Sequence, residues 1–130
     1  YHQGLKGHSD GDCLIHAICD ALLGAAGLGD IGEHFPDTDM KIKNINSRLI
    51  LEDIIKKIKD KGYRIENIDV NIIAQAPQLT PHKNAIKLKL AEIMGLNASQ
   101  INIKAKTKEH LDAVGEKRAI ECQAIVLLAN

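Results

Sequence analysis

Histidine and aspartate side chains are concentrated in the first forty residues of the chain, where their spacing could support metal-ion chemistry. Asp12, His16 and Asp20 are four residues apart, so on a helix they share one face. A carboxylate near a metal-bound histidine is the usual means of orienting its ring. A catalytic zinc ion needs three protein ligands, however, and no second histidine stands four residues from His16. The pattern therefore predicts a metal site of which this stretch supplies only part.

Further acidic and basic groups suggest a phosphorylated ligand. Asp30, Asp37 and Asp39 lie in a connection over 26–46 that is rich in Gly and Asp, where they could cap turns or bind hydroxyl groups or Mg²⁺. Lys106-Thr107-Lys108-Glu109 follows a predicted strand and offers cations and backbone N–H groups suited to phosphate. Together these groups predict metal-assisted chemistry on a phosphorylated polyol. The other histidines lack such neighbours and are predicted surface residues: His2, His34, His82 and His110.

The composition is typical of a globular protein and disfavours several functional classes. Apolar residues make up 45% of the 130 residues, and 17 basic residues balance 17 acidic ones. No apolar run approaches the roughly 20 residues that a membrane span needs. The zero net charge, with only two Tyr and one Phe, argues against nucleic-acid binding. Cys13, Cys19 and Cys122 show no paired spacing and are predicted to be small core residues in a reducing compartment.

The elements that would position the chemical groups follow from apolar periodicity. Helices are predicted over 11–25 with Asp10 as N-cap, over 48–61 after Ser47, and from Pro81 to about residue 94. Strands are predicted over 65–74, 101–105 and 119–128, and a helical turn over 107–112. Helices alternating with strands indicate one compact α/β or α+β domain over 1–130.

The second helix is predicted to have one buried and one solvated face. The residues predicted inward are Leu49, Ile50, Ile54, Ile55 and Ile58. The residues predicted on the solvated face are Lys56, Lys57, Lys59, Asp60 and Lys61.

Two motifs resemble those of 2-C-methyl-D-erythritol 2,4-cyclodiphosphate synthases. They are Gly7-His8-Ser9-Asp10-Gly11-Asp12 with His16, and Leu28-Gly29-Asp30-Ile31-Gly32 with His34-Phe35-Pro36-Asp37-Thr38-Asp39. The similarity continues through Ile72-Ile73-Ala74-Gln75-Ala76-Pro77 and, more loosely, Thr107 to Glu109. The resemblance implies an α+β fold in which a single four-stranded mixed sheet is backed by helices. It also implies a homotrimer with active sites between adjacent subunits.

The reaction implied by the resemblance is an intramolecular phosphoryl transfer in isoprenoid precursor biosynthesis. The 2-phosphate of 4-diphosphocytidyl-2-C-methyl-D-erythritol 2-phosphate attacks the β-phosphate, which closes the 2,4-cyclodiphosphate and releases CMP. Positioning and charge neutralisation carry most of the catalysis in such a reaction. The implied cofactors are Zn²⁺ at the β-phosphate and Mg²⁺ or Mn²⁺ on the diphosphate. The implied location is the bacterial cytoplasm, or a plastid-type organelle if a transit peptide precedes the chain.

The resemblance also implies roles for individual residues. His16 would be a zinc ligand, Glu109 would hold the second metal, and His8 and Thr107 would stabilise the transition state. Asp30, with Ile31 and Gly32, would bind the erythritol hydroxyls. The same pocket would be lined by Ser9, Phe35, Pro36, Asp37, Thr38 and Asp39, with Lys106 and Lys108 near the phosphates. The cytidine pocket of the neighbouring subunit would be formed by Ala74, Gln75, Ala76, Pro77, Gln78, Leu79 and Thr80.

The sequence departs from the family pattern at three places. The first two zinc ligands, an Asp-x-His pair on an N-terminal strand, are expected upstream of Tyr1. Lys106-Thr107-Lys108-Glu109 replaces Thr-Thr-Thr-Glu, which adds positive charge. Glu116 and Arg118 reverse the family's Arg-x-Glu pair, and Ala113 replaces an aromatic residue at an axial cavity implied to bind isoprenoid diphosphates. We expect Glu116 and Arg118 still to pair across subunits. A catalytically inactive trimeric relative that binds nucleotide or isoprenoid phosphates is the main alternative, and a generic zinc phosphohydrolase is a second.

Overall fold

A mixed β-sheet forms one layer of the structure, a computed structural model that describes residues 7–36, 46–74, 80–106 and 120–130. Its strands in this part of the chain are β1 (Arg64–Ala74), β2 (Ile101–Lys106) and β3 (Ile120–Ala129), in the order β2-β1-β3. β1 and β2 are parallel, with Ile68 opposite Ile101, and β1 and β3 are antiparallel, with Val70 opposite Ala124. All three strands were predicted from β-branched, apolar runs.

Helices cover one face of this sheet. They are α1 (Gly7–Ala26), the one-turn α2 (Ile31–His34), α3 (Ser47–Asp60) and α4 (Lys83–Met94), with short 3₁₀ turns at Thr80–His82 and Ala98–Gln100. α1 packs on β3 and α3, and α4 packs on β2. No helix in the described ranges is long and apolar enough to cross a membrane. The segregated helices and the mixed sheet confirm the α+β class, while the fourth predicted strand is not among the residues described.

One apolar cluster joins the helices to the sheet. α1 contributes Ile18, Leu22 and Leu23, α3 contributes Leu51, Ile54 and Ile58, and β1 contributes Ile68, Val70 and Ile72, all fully buried. Ile18 and Leu22 are four residues apart, Leu51, Ile54 and Ile58 recur at spacings of three and four, and the β1 residues alternate, so each element buries one side.

The opposite face of the sheet is open in a single chain. Ile125 and Leu127 of β3 remain 72% and 62% exposed there. Asp69 of β1 accepts hydrogen bonds from Asn102 Nδ2 at 3.0 Å and Lys104 Nζ at 2.9 Å. These two hydrogen bonds hold the pKa of the Asp69 carboxyl below its usual range.

Several predicted helix boundaries were wrong. α1 begins at Gly7, so Asp10 lies inside its first turn rather than at the N-cap. Asn46, not Ser47, caps α3, because its side-chain oxygen accepts from Arg48 N at 2.8 Å. Pro81 belongs to the 3₁₀ turn that precedes α4 rather than to its first turn.

Leu49 of α3, predicted inward, is 54% exposed. Leu51 is buried in its place, because Leu51, Ile54, Ile55 and Ile58 form the i, i+3, i+4, i+7 stripe of this helix. The helical turn predicted over 107–112 lies outside the described residues.

Candidate functional site

A tight turn after α1 places Asp30 beside the helix it has just left. Gly27 and Gly29 adopt φ angles of +71° and +86°, a region that disfavours residues with a Cβ atom. Leu28 N donates to Leu23 O at 2.8 Å, which closes the end of α1. A Cβ atom on Gly29 would also lie 2.0 Å from Glu33 Oε2. The two glycines therefore allow the chain to turn back toward α1 and α3.

Two carboxylates hold the start of α2. Asp30 is its N-cap, and its Oδ1 accepts from Glu33 N at 3.0 Å. Asp20 Oδ1, from α1, accepts from Ile31 N at 2.8 Å. Asp30 is exposed, and its Oδ2 makes no hydrogen bond within the described residues, so it can accept from a ligand hydroxyl. Both alternatives predicted for Asp30, capping and hydroxyl binding, are thus open to one carboxylate at once.

His16 lies on α1 one turn before Asp20, with Cβ atoms about 6 Å apart by helix geometry. Its imidazole is exposed and can supply a metal ligand. Each flanking carboxylate accepts a hydrogen bond through one oxygen: Asp12 Oδ1 accepts from Ser47 Oγ at 2.6 Å, and Asp20 Oδ1 accepts from Ile31 N at 2.8 Å. In the described ranges, no group of three His, Cys, Asp or Glu side chains could hold a metal ion.

His34 and Lys57 form a contact that the sequence analysis missed. His34 Nε2 lies 2.7 Å from Leu28 O, and Lys57 Nζ lies 3.1 Å from His34 Nδ1. Because an ammonium group only donates, Nδ1 is the acceptor and Nε2 carries the hydrogen that bonds to the Leu28 carbonyl. Lys57 also pairs with Asp53 at 3.0 Å and lies 5.2 Å above the Phe35 ring.

Neither residue is the freely solvated side chain that was predicted. His34 is half-buried, and Lys57 and Asp53 stand four residues apart on α3. A spacing of four residues between Asp53 and Lys57 is typical of an ion pair on a helix, but no local pattern indicates His34 as a neighbour of Lys57.

A second group of predicted site residues lies at one edge of the sheet. Ala74 ends β1 and Lys106 ends β2, and Lys106 lies opposite Ile73 in the parallel pair. Because these two strands are parallel, Ala74 and Lys106 lie at the same end of the sheet. Cys13 of α1 approaches this edge, with its sulfur 4.0 Å from the Ile120 carbonyl. No hydrogen bond or ion pair among the described residues joins this group to Asp30 or His16.

Many of the predicted site residues, or their side chains, lie outside the described part of the chain. Gly32 lies within α2, Pro36 is exposed after its end, and Thr80 opens a 3₁₀ turn. His8 and Ser9 lie in the first turn of α1, but their side chains are outside the described part. Also outside the described residues are Asp37, Thr38, Asp39, Gln75, Ala76, Pro77, Gln78, Leu79, Thr107, Lys108, Glu109, Ala113, Glu116 and Arg118.

The cysteine thiols do not form a nucleophilic centre with these groups. Cys19 is fully buried in α1, and burial raises the pKa of its thiol to about 12, with the neighbouring Asp20 charge adding to the effect. At neutral pH the Cys19 thiol is therefore protonated and acts as a small core residue, as predicted. Cys13 and Cys122, in contrast, are half-buried rather than part of the fully buried core that was predicted for all three cysteines.

Comparison with known proteins gives a consistent result over nearly the whole chain. The model of the YgbB family matches residues 1–129. The 2-C-methyl-D-erythritol 2,4-cyclodiphosphate synthase of Photobacterium profundum is 52% identical over 128 residues, which are 98% of this chain and 82% of that protein. The protein of the same name from Francisella tularensis subsp. novicida is 54% identical over 128 residues, 98% of this chain and 80% of that one.

Solved structures agree in fold. The bifunctional IspDF of Campylobacter jejuni superposes with a TM-score of 0.88 at 46% identity, and the match covers 96% of this chain but only 34% of that longer one. IspF of Plasmodium falciparum, solved as a CDP complex, gives a TM-score of 0.81 at 41% identity, covering 94% of this chain and 73% of that one. The chain therefore belongs to the YgbB family, together with proteins named 2-C-methyl-D-erythritol 2,4-cyclodiphosphate synthase.

Proposed function

We propose that this protein is a 2-C-methyl-D-erythritol 2,4-cyclodiphosphate synthase. It converts 4-diphosphocytidyl-2-C-methyl-D-erythritol 2-phosphate to the cyclic diphosphate and releases CMP. Family membership and identities above 50% to proteins of that name carry this proposal. The observation that carries it in the structure is the turn at residues 30–32, where the exposed Asp30 carboxylate accepts from Glu33 N and the next residue, Ile31, donates its N–H to Asp20.

The Asp30 turn is suited to bind the polyol part of the substrate. Asp30 Oδ1 is engaged by Glu33 N, so the carboxylate keeps one orientation while Oδ2 faces solvent and can accept from a hydroxyl group. Hydroxyls bound there hold the methylerythritol chain in place, and fixing its 2-phosphate near the β-phosphate lowers the entropic part of the barrier. His8 and Thr107 are proposed to stabilise the charge that develops on the transferred phosphoryl group.

The cytidine end of the substrate is proposed to bind residues 74–80 of a neighbouring subunit. Ala74 and Lys106 lie at one end of the parallel strand pair, and no hydrogen bond or ion pair of the described residues joins them to the Asp30 turn, so we propose that the two ends of the substrate meet different chains. The open face of the sheet, with Ile125 and Leu127 exposed, suits packing against other subunits of a homotrimer. A fourth strand from upstream residues and an isoprenoid diphosphate on the trimer axis also remain proposals.

Divalent metals are proposed at two positions. His16 fits one zinc ligand, because its imidazole is exposed on the side of α1 that also carries Asp20 and, through it, the Asp30 turn. Glu109 is proposed to hold Mg²⁺ or Mn²⁺ on the diphosphate. When bound, such ions neutralise phosphate charge and make the β-phosphate more electrophilic.

Product analysis tests the proposal. Full-length protein, the cytidylyl substrate, Zn²⁺ and Mg²⁺ are combined and followed by phosphorus NMR. CMP together with a cyclic diphosphate is the expected result. Linear products would indicate a phosphohydrolase, and CDP binding without turnover would indicate the inactive relative.

Asp30→Asn then tests the role of the turn. An amide at this position keeps an oxygen for the cap but loses the charge, so hydrogen bonds to substrate hydroxyls weaken by about 1.5–3 kcal/mol. We expect kcat/KM to fall by about 10- to 100-fold. Glu33→Gln, an equal loss of charge on the same one-turn helix, is the matched control and should stay near the wild-type value. Equal activity of the two variants would contradict the assignment of Asp30.

A further inference from the structure

The end of α2 is fastened to α3 by His34 and Lys57. His34 Nε2 bonds back to Leu28 O at 2.7 Å, which closes the segment 28–34 into a loop. Lys57 Nζ bonds His34 Nδ1 at 3.1 Å and lies 5.2 Å above the Phe35 ring, so one ammonium group contacts two successive residues of this loop. The loop contains residues 30–32, which form the Asp30 turn.

Lys57 is itself held in place by its own helix. Asp53 Oδ2, one turn earlier on α3, pairs with Lys57 Nζ at 3.0 Å. The Lys57 and Asp53 side chains are 37% and 45% exposed, and ion pairs at such exposure add little to global stability. The effect of this contact is therefore local: it sets the distance between α3 and the loop rather than deciding whether the protein folds.

We propose that His34 and Lys57 are positioning residues for the Asp30 turn, an inference that rests on the function proposed above. The turn has one anchor at its start, where Asp20 binds Ile31 N, and this second anchor at its end. With both in place the Asp30 carboxylate is presented to the substrate hydroxyls in one geometry. Without the second anchor the loop samples other positions, and part of the binding energy is spent on ordering it.

Lys57→Met is the main test, because methionine keeps an apolar side chain of similar length beside Phe35 but removes the ammonium group. The turn contacts the polyol in the ground state and the transition state alike, so its loss is expected in KM rather than kcat. We expect KM for the cytidylyl substrate to rise about fivefold, with kcat within about twofold of the wild type. The Kd for CDP, which lacks the polyol, should also stay within about twofold.

Two matched variants separate this role from charge and from structure. Lys57→Arg keeps a donor and a cation at the same place and should restore KM to within about twofold of the wild type. Lys56→Met removes the same charge from the neighbouring exposed position of α3, which makes no ion pair within the described residues, and should leave KM unchanged. His34→Leu removes both ring nitrogens, and with them the acceptor for Lys57, and should raise KM at least as much as Lys57→Met does.

The outcomes are distinguishable. An unchanged KM in both Lys57→Met and His34→Leu, with normal turnover by the wild type, would overturn this inference and leave the proposed function standing. A fall in kcat with KM unchanged would indicate loss of active protein and would also overturn it. A wild-type protein that releases no CMP would overturn the proposed function and this inference together.

Discussion

Asp20→Ala tests whether a side chain of α1 holds the start of α2. Asp20 Oδ1 accepts from Ile31 N at 2.8 Å, and the carboxylate is exposed. A hydrogen bond to a charged acceptor contributes about 1.5–3 kcal/mol, but water replaces much of it at an exposed site. We therefore expect a local cost of about 1 kcal/mol, similar to the loss of a helix cap. That cost corresponds to about a fivefold change in the opening equilibrium.

Amide hydrogen exchange at Ile31, followed by NMR on the full-length protein, measures this equilibrium directly. In Asp20→Ala the amide should exchange about fivefold faster. Asp20→Asn keeps an acceptor oxygen and should change the rate by less than about twofold. Asp60→Ala removes an exposed carboxylate of α3 that makes no hydrogen bond or ion pair within the described residues, and should have no effect. If Ile31 exchanges equally fast in Asp20→Ala and the wild type, the carboxylate does not order α2 and the reasoning is refuted.

Three further predictions concern stability and reactivity. Gly29→Ala should lower the free energy of unfolding by about 1–2 kcal/mol, because Gly29 has a positive φ. Gly24→Ala should raise it by about 0.5–1 kcal/mol, because Gly24 lies in α1 with no atom within 4 Å of an added Cβ. Urea denaturation measures both, and a change in the same direction in the two variants would contradict this reasoning. The lowered pKa of Asp69 stabilises the folded state above the carboxyl's ordinary pKa, and this stabilisation is lost as pH falls through the folded-state value. Asp69→Asn should therefore weaken the dependence of unfolding free energy on pH below about 4, and an unchanged slope would refute this. Cys19, with its pKa raised to about 12, should resist alkylation by iodoacetamide at pH 8 until the protein unfolds. Alkylation of Cys19 in the folded protein would contradict its burial in the core.

The elements with strong local periodicity could be predicted from the sequence. Ile54, Ile55 and Ile58 recur at helical spacing and are buried in α3, and the β-branched run of β1 forms the central strand. Periodicity does not decide which edge of an apolar stripe faces the core, because that depends on the partner surface, and Leu49 was misplaced for this reason. Cap positions were missed by one residue at Ser47 because Asn46 and Ser47 are both good N-cap residues.

The candidate site could be predicted only where a motif carries it. Asp30 was found through its family motif, and the same residue type also suits an N-cap, so sequence and geometry agree there. The anchors of the turn were not found, because each joins residues that are far apart in the chain: Asp20 to Ile31 and His34 to Lys57. Such contacts depend on how α1 and α3 pack, and no local pattern of residue types reports that packing.

The candidate site residues fall into two groups that are not joined within the described part of the chain. The Asp30 turn lies against α1 and α3, whereas Ala74 and Lys106 end their strands at one edge of the sheet, and no hydrogen bond or ion pair of the described part connects the two groups. A substrate with a polyol at one end and cytidine at the other must bind both kinds of group at once. The open sheet face, with its exposed apolar side chains on β3, offers a surface on which a second chain could pack. Substitutions that block this surface should therefore remove turnover while leaving the hydrogen bond from Ile31 to Asp20 intact.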